Sequence, residues 1–465
     1  MRMKAFLSLP CRVAAVASFV LLAGIAPRFA ATSTSRAAQA SRPSTPDPRF
    51  GVVEAWRAPT AASQIGVGWE RLTFWWKNIQ PDGPNSYNLW ATDRDHQINH
   101  EIATGRQLVG LLINTPDWAA LNPAQHGDSI PKGLYLPYND PNNYWGHFVK
   151  LIAAHYKGRI NDWILWNEVS IPNGKWCTWH GSVADYAQLV RVADQAAKAV
   201  NPEAKIILSG DPYWYDHGAF FTTLMQDLSR GPQAVANHYY FDAANLHLYS
   251  RPSDYRTIIT LYNQIMARYG IQKPMWLSET NALPYNDPIR RYARSGFFGT
   301  MQDQASYIIE AFSLALALNV QHIEVNRMVD GTDFTAGGEP FGLIRNNHTV
   351  RPEYYAYSAA TSLYAGVTDG TISYDKQHEV YVVTLHKPGA TLYVTWNQSP
   401  IPQRVSIPAL ARSAIAYDKF GSGNVVSASD GTYRFTLTPS TDNTDPADPK
   451  DYVIGGSPIV LVQSN

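Results

Sequence analysis

The sequence predicts an α/β protein: a (β/α)8 TIM barrel followed by a C-terminal antiparallel β-sandwich. Three observations carry this. From about residue 50 to 360, short apolar or β-branched runs alternate with longer amphipathic stretches, the pattern of parallel βαβ units. Two of those runs, Trp163-Ile164-Leu165-Trp166 and Pro274-Met275-Trp276-Leu277, lead within two residues to Glu168 and Glu279, and the C-terminal ends of strands are where barrels keep their reacting groups. After about residue 364 the pattern changes to strict alternation of apolar and polar residues, the mark of half-buried strands.

Taken in order, the chain opens with basic residues Arg2, Lys4 and Arg12, an apolar stretch Val13 to Ile25, and a small-residue site Ala38-Gln39-Ala40. This reads as an export signal and spacer over residues 1–40, with an uncleaved N-terminal anchor as the alternative. The apolar stretch is short for a membrane span, and Leu21-Leu22-Ala23-Gly24 is followed by Ile25 and not by Cys, so a lipoprotein anchor is not supported. Residues 31–48, rich in Ser, Thr, Ala and Pro, read as a flexible spacer. The expected location is outside the cell.

The barrel is assigned to residues 41–364. Its strands are expected at 50–54, 70–75, 107–113, 162–167, 204–210, 243–249, 274–279 and 321–327. Helical stretches at 92–104, 142–157, 183–200, 215–229, 252–269 and 302–317 separate them. Eight such strands fit a closed barrel. No Gly-rich phosphate turn follows the first strand, which disfavours a dinucleotide fold. The sandwich, residues 365–465, shows alternating segments at 379–385, 390–396, 433–437 and 457–462, divided by Gly, Asp, Asn and Ser clusters. The stretch 50–58 offers it further strand material.

Composition narrows the partners. The 38 basic and 38 acidic residues balance with no long basic run, so neither nucleic acid nor an anionic membrane surface is expected. The 14 Trp and 27 Tyr exceed what a core alone explains and suit a site that stacks on sugar faces. Of the two cysteines, Cys11 lies in the signal, so Cys177 has no intramolecular partner and reads as a packed thiol. No metal-ligand spacing occurs along the chain; no metal and no cofactor are expected. The oligomeric state stays open.

Two carboxylates at barrel strand ends can divide the work of glycosidic cleavage, one as nucleophile and one as acid and then base, when ~5–5.5 Å apart. Their environments must keep one ionised and one protonated. The plainer alternative, two surface carboxylates that merely close strands, is weakened by their appearing as a pair on the fourth and seventh strands. Asn167, directly before Glu168, suits an amide that bonds the sugar 2-hydroxyl. Arg71 either holds a site carboxylate ionised or pairs with Glu70. His247 and Tyr249 alternate and so share one side of the sixth strand. Trp76, Trp118, Trp176, Trp179 and Trp214 are candidates for stacking on sugar, with core packing the competing role for each. His180 has a slight claim, and Asp211 with His217 is too isolated to assign.

At these residues the chain resembles glycoside hydrolase clan A, the retaining (β/α)8 glycosidases. Trp166-Asn167-Glu168 on strand 4 and Glu279 ending strand 7 carry the likeness. The run Arg71 to Pro81, then Gly105 and Leu112-Ile113-Asn114-Thr115-Pro116-Asp117-Trp118-Ala119, is similar to the second and third units of glycoside hydrolase family 39. Asn245-Leu246-His247-Leu248-Tyr249 resembles the clan's strand 6, and Phe341-Gly342-Leu343 with Arg351-Pro352-Glu353-Tyr354-Tyr355-Ala356 resembles the approach to the last barrel helix. The resemblance implies Glu168 as acid/base, Glu279 as nucleophile and Asn167 as the 2-hydroxyl contact. Two positions depart from it. Val169-Ser170-Ile171-Pro172 follows Glu168 where Pro usually comes first, and the run His322 to Met328 brings no aromatic. Glu324 is therefore a candidate lining the sugar subsite, or else an ion pair with Arg327. The expected function is an exported retaining β-glycosidase acting on carbohydrate. The alternatives are a non-catalytic carbohydrate-binding barrel, which would need one glutamate displaced, and a cell-wall protein dominated by its β-domain.

Overall fold

A computed structural model describes residues 38–40, 45–88, 95–172, 174, 177–289, 298–331, 340–440, 443–445, 448–452 and 454–465. The export signal proper therefore lies outside the described residues, as does Trp176. Among the described residues no helix is long and apolar enough to cross a membrane.

The barrel strands are β1 (Phe50–Val52), β2 (Trp69–Trp75), β3 (Gln107–Ile113), β4 (Asp162–Leu165), β5 (Lys205–Ile207), β6 (Ala244–Leu248), β7 (Met275–Thr280) and β8 (Val320–Val325). They pair in parallel in the order β5-β4-β3-β2-β1-β8-β7-β6, and bridges Ile207–Ala243 and Asp211–Leu246 draw β5 onto β6. Besides a single turn at Trp76–Ile79, the longer helices are α1 (Pro59–Gln64), α2 (Asp95–Ala103), α3 (Tyr144–His155), α4 (Val183–Lys198), α5 (Ala219–Leu228), α6 (Asp254–Arg268), α7 (Met301–Ala317) and α8 (Pro352–Leu363). Local chemistry starts several of them. Ser182 and Asp185 cap α4 reciprocally, as Thr300 and Asp303 cap α7, each satisfying amides that the first turn leaves unpaired. Pro352 opens α8, where its missing N–H costs nothing.

Side chains two apart on a strand face the same way, so the barrel interior fills in layers. Trp69 and Trp276 meet edge to face at 5.6 Å, and His322 stacks on Trp276 at 3.9 Å. Gly51 makes room for this floor: a Cβ there would lie 2.4 Å from the Trp69 indole. Burial holds the His322 imidazole down to about 3, so it serves as a neutral packing group. Two residues further along the strands come Arg71 and Glu324, both buried.

The C-terminal strands are β9 (Asp369–Asp375), β10 (Val380–Lys387), β11 (Ala390–Asn397), β12 (Gln403–Pro408), β13 (Ser413–Tyr417), β14 (Ser422–Ser427), β15 (Thr432–Leu437) and β16 (Ile459–Ser464). One sheet runs β14-β13-β16-β11-β10-β9, and β12 pairs with β15 antiparallel. Ile407, Ala414, Tyr433 and Leu461 form the core between them. The stretch 50–58 does not join this sandwich, because Phe50–Val52 is claimed by the barrel. Its additional edge instead comes from Ala38 and Gln39, which pair antiparallel with Gly423 and Ser422. The sandwich rests on α7, whose residues from Gln304 to Leu316 are all buried. A helix buried all round is one covered on both sides.

Candidate active site

Glu168 leaves β4 through a strained turn. Trp166 has φ 66° and Glu168 has φ 47°, a left-handed backbone that bulky L-residues rarely adopt. The surroundings hold it there. Trp166 donates from Nε1 to the Thr178 carbonyl at 2.6 Å and from its amide to Leu112 O at 2.8 Å. The Tyr186 hydroxyl donates to Leu165 O at 2.8 Å. Asn167, between the two strained residues, accepts at its carbonyl from Thr178 Oγ1.

Glu279 is aimed by a bulge in β7. Leu246 pairs with Leu277 and His247 with Glu279, so Ser278 is one residue too many in β7; bulges of this kind re-aim side chains beside active sites. Both Ser278 and Glu279 consequently reach His247. Its Nδ1 lies 2.9 Å from Glu168 Oε1 and 3.6 Å from Glu279 Oε2, and its Nε2 lies 3.1 Å from Ser278 Oγ. The imidazole is fully buried, while the Glu168 and Glu279 side chains keep 21% and 14% exposure. Gly210 makes the space for the ring, since a Cβ there would fall 2.0 Å from it.

Around Glu279 the donors converge. The Tyr249 hydroxyl donates to Oε2 at 2.6 Å and itself accepts from Asn326 Nδ2 at 2.8 Å. Arg71 Nη2 donates to Oε1. Burial alone would raise this carboxyl; the electrostatic pull of His247 and Arg71, with the Tyr249 and Arg71 hydrogen bonds, outweighs it and holds the group down to about 2. Glu279 is therefore an ionised carboxylate throughout the physiological range.

Arg71 turns away from Glu70. By alternation Glu70 faces outward, accepts from the Trp56 amide at 2.8 Å, and sits beside the Glu101–Arg106 ion pair. Arg71 instead serves two inward carboxylates: besides Glu279, its amide donates to Glu324 Oε1 at 3.1 Å and its Nε lies 3.7 Å from Glu324 Oε2. Glu324 is fully buried beneath Arg71, so it does not line a sugar subsite, and it does not pair with Arg327, which bonds Glu54. Burial, and secondarily the charge of Glu279, push its carboxyl up to about 8 against the pull of Arg71.

The aromatic candidates divide. Trp76 is fully buried, stacked on Phe148 at 5.0 Å with its Nε1 bonded to Gln80 Oε1 at 2.7 Å. Trp179 is 3% exposed and packs edge-on against Trp166 at 5.0 Å. Neither presents a face to a ligand; both are core, because the apolar shell between strands and helices claims large rings first. Trp118 is half-buried, with Nε1 bonded to Gln80 O at 2.7 Å and its ring against Trp76 and Tyr144. Exposed rings stand elsewhere: Trp214 at 50% and Tyr215 at 48%, both in the loop after β5. Cys177 is a buried thiol.

Sequence reasoning missed several members. Ser278 and Asn326 touch His247 and Tyr249 from within runs it had quoted, but only the bulge and the strand-end geometry reveal it. Asp211 accepts from Ser170 Oγ at 2.5 Å and from the Tyr262 hydroxyl at 2.6 Å, and burial pushes its carboxyl up to about 6; its partners come from two other barrel units. The chain shows no metal spacing, yet in space one oxygen of Glu168, a ring nitrogen of His247 and one oxygen of Glu279 lie within 4.8 Å of one another. The Arg71 guanidinium on Glu279 opposes a cation there, and Tyr249 already takes one of its oxygens.

No protein-family model matches the chain, and no curated protein sequence does. Solved structures do. A family 39 glycoside hydrolase from Bacteroides cellulosilyticus aligns with a TM-score of 0.67 over 90% of this chain and 81% of that one, at 14% identity. A GH30 endoxylanase from Clostridium papyrosolvens aligns at 0.59 over 92% and 98%, with 13% identity. A family 51 alpha-L-arabinofuranosidase from Bifidobacterium longum aligns at 0.51 over 92% and 98%, with 12% identity. The chain thus has the barrel-and-sandwich fold of the clan A glycoside hydrolases of families 39, 30 and 51, the fold its strand 4 and strand 7 motifs suggested.

Proposed function

We propose that this protein is an exported retaining β-glycoside hydrolase whose substrate is an oligosaccharide or polysaccharide. The observation that carries the reading is that one oxygen of Glu168 and one oxygen of Glu279 lie within 4.8 Å of each other, with a ring nitrogen of His247 in the same group. Retention needs carboxyls ~5–5.5 Å apart, whereas inversion needs ~6.5–9.5 Å to admit a water between them. The asymmetry of the pair supports the division of roles. Glu279, held ionised by Arg71 and Tyr249, attacks the anomeric carbon. Glu168, which has neither partner and is the more exposed, protonates the departing oxygen and then deprotonates the water that frees the sugar. Asn167, on the same turn as Glu168, contacts the 2-hydroxyl of the reacting sugar. The named activities of the similar structures, a xylanase and an arabinofuranosidase among them, agree with a glycosidic substrate. A non-catalytic barrel would need one carboxylate displaced, and neither is.

Glu279→Gln should abolish turnover while far-UV circular dichroism stays as in the wild type; near-wild-type activity in that variant would end the assignment. Proton NMR of the first-formed product should show the substrate's anomeric configuration, and the opposite anomer would exclude double displacement. Export is tested by the N-terminal sequence of protein recovered from the culture medium.

A further inference from the structure

We propose that the loop of residues 211–217 after β5 is the leaving-group platform of the site, with Trp214 and Tyr215 offering flat apolar faces to the ring beyond the bond that is cut. The proposal rests on the glycosidase reading and deepens it by naming the substrate class: glycosides whose leaving group is itself a ring, a sugar or an aryl group, in preference to glycosides of small alcohols.

The barrel sends most of its large aromatics into the core, yet this loop turns two adjacent rings to solvent, 50% and 48% exposed. They are not loose. Asp211 donates its amide to Asn245 O at 3.1 Å and receives the His247 amide at 3.1 Å. Its carboxylate takes the Ser170 and Tyr262 hydroxyls, so the loop is fastened both to the turn that carries Glu168 and to the strand that carries His247. At the far end Asp216 accepts from the amides of Gly218 at 3.0 Å and Phe220 at 2.7 Å. Tyr213 packs between Trp214 and His217 at 5.0 and 5.2 Å. Exposed rings on a fixed backbone lose little entropy when a ligand stacks on them.

Position then decides which part of the substrate they meet. Glu168 protonates the oxygen that departs, so groups on its side of the pair face the leaving group. The loop belongs to the strand next to β4, from which Glu168 emerges, and the charge of Glu168 reaches Tyr215, adding to burial in pushing that phenol up. The groups that hold Glu279, namely Arg71 and the Tyr249–Asn326 pair, come from β2 and from the ends of β6 and β8. They enclose the sugar that stays behind.

The test compares wild type, Trp214→Ala and Tyr215→Ala on three substrates of one glycone, the glycone being taken from a screen of p-nitrophenyl β-glycosides and glycosyl fluorides. These are the glycosyl fluoride, which leaves without a ring, the p-nitrophenyl glycoside and the β-linked disaccharide. In each variant the ratio of kcat/KM for a ring-bearing substrate to that for the fluoride should fall about tenfold, the worth of one aromatic contact. Trp214→Phe and Tyr215→Phe should restore it. A fall with the disaccharide identifies a sugar platform, and a fall with the aryl glycoside alone identifies an aryl one. Unchanged ratios in both alanine variants overturn the platform while leaving the glycosidase reading intact. A wild type that cleaves none of the screened glycosides overturns both.

Discussion

Arg71 is shared between two glutamates of opposite character, and that sharing is the main electrostatic fact of the site. Glu279 is held ionised, whereas Glu324, wholly buried below it, is pushed up to about 8, so near neutrality Arg71 spends its charge on Glu279. The sign for stability follows. A carboxyl whose folded value lies above its unfolded value of about 4.3 binds its proton more tightly in the native state, so stability falls as pH rises between the two. Glu324→Gln copies the protonated form and removes that dependence. Urea unfolding at pH 5, 7 and 9 should show the variant gaining on the wild type as pH rises, by a few kcal/mol at most; parallel pH curves would mean that Glu324 is ionised in the native protein. The pairing of Arg71 with one or other neighbour could not be read from the sequence beyond its two options. Alternation along β2 settles it, because Glu70 and Arg71 must face opposite sides.

At the scale of elements, the site depends on a bulge and a missing side chain. Ser278 inserted in β7 lets Glu279 and Ser278 both meet His247, and Gly210 leaves the gap that the imidazole fills. Gly210→Ala would drive a methyl into that ring. We expect a loss of about 1–3 kcal/mol in stability from overpacking and at least about tenfold in kcat, as His247 is displaced from Glu168. Unaltered kinetics in a folded variant would show that His247 is not held by this contact. The eight strands and most helices were legible, since hydrophobic period depends only on near neighbours in the chain. The bulge was not, because register is a property of two strands together. Trp76 and Trp179 were misread for a related reason: a ring beside a strand end can point into the helix shell or the cleft, and composition does not choose.

For the whole molecule, α7 is the hinge of the architecture. It is covered by the barrel on one side and by β9, β10 and β11 on the other, and polar ties cross the same boundary: Lys419 Nζ to Gln302 O at 2.8 Å, the Gly455 amide to Glu310 Oε2 at 3.2 Å, Lys387 Nζ to Leu363 O at 2.7 Å. A chain ending at residue 364 would expose an apolar helix face, which folded domains avoid. We expect that truncation to aggregate on size-exclusion chromatography, and the full chain to unfold in one calorimetric transition. Two separate transitions would show that barrel and sandwich are independent.

The sequence by itself determined the fold class, its two halves and the pair of glutamates, because strand period and the position of a carboxylate at a strand's end are local properties of the chain. Only the tertiary structure decided which groups surround that pair. Ser278, Asn326, Gly210 and Asp211 join the site, Trp76 and Trp179 leave it for the core, and Glu324 sinks beneath Arg71. Each of those outcomes depends on register and burial among strands far apart in sequence, and the chemistry of Glu168 and Glu279 is set by the neighbours that barrel closure brings to them.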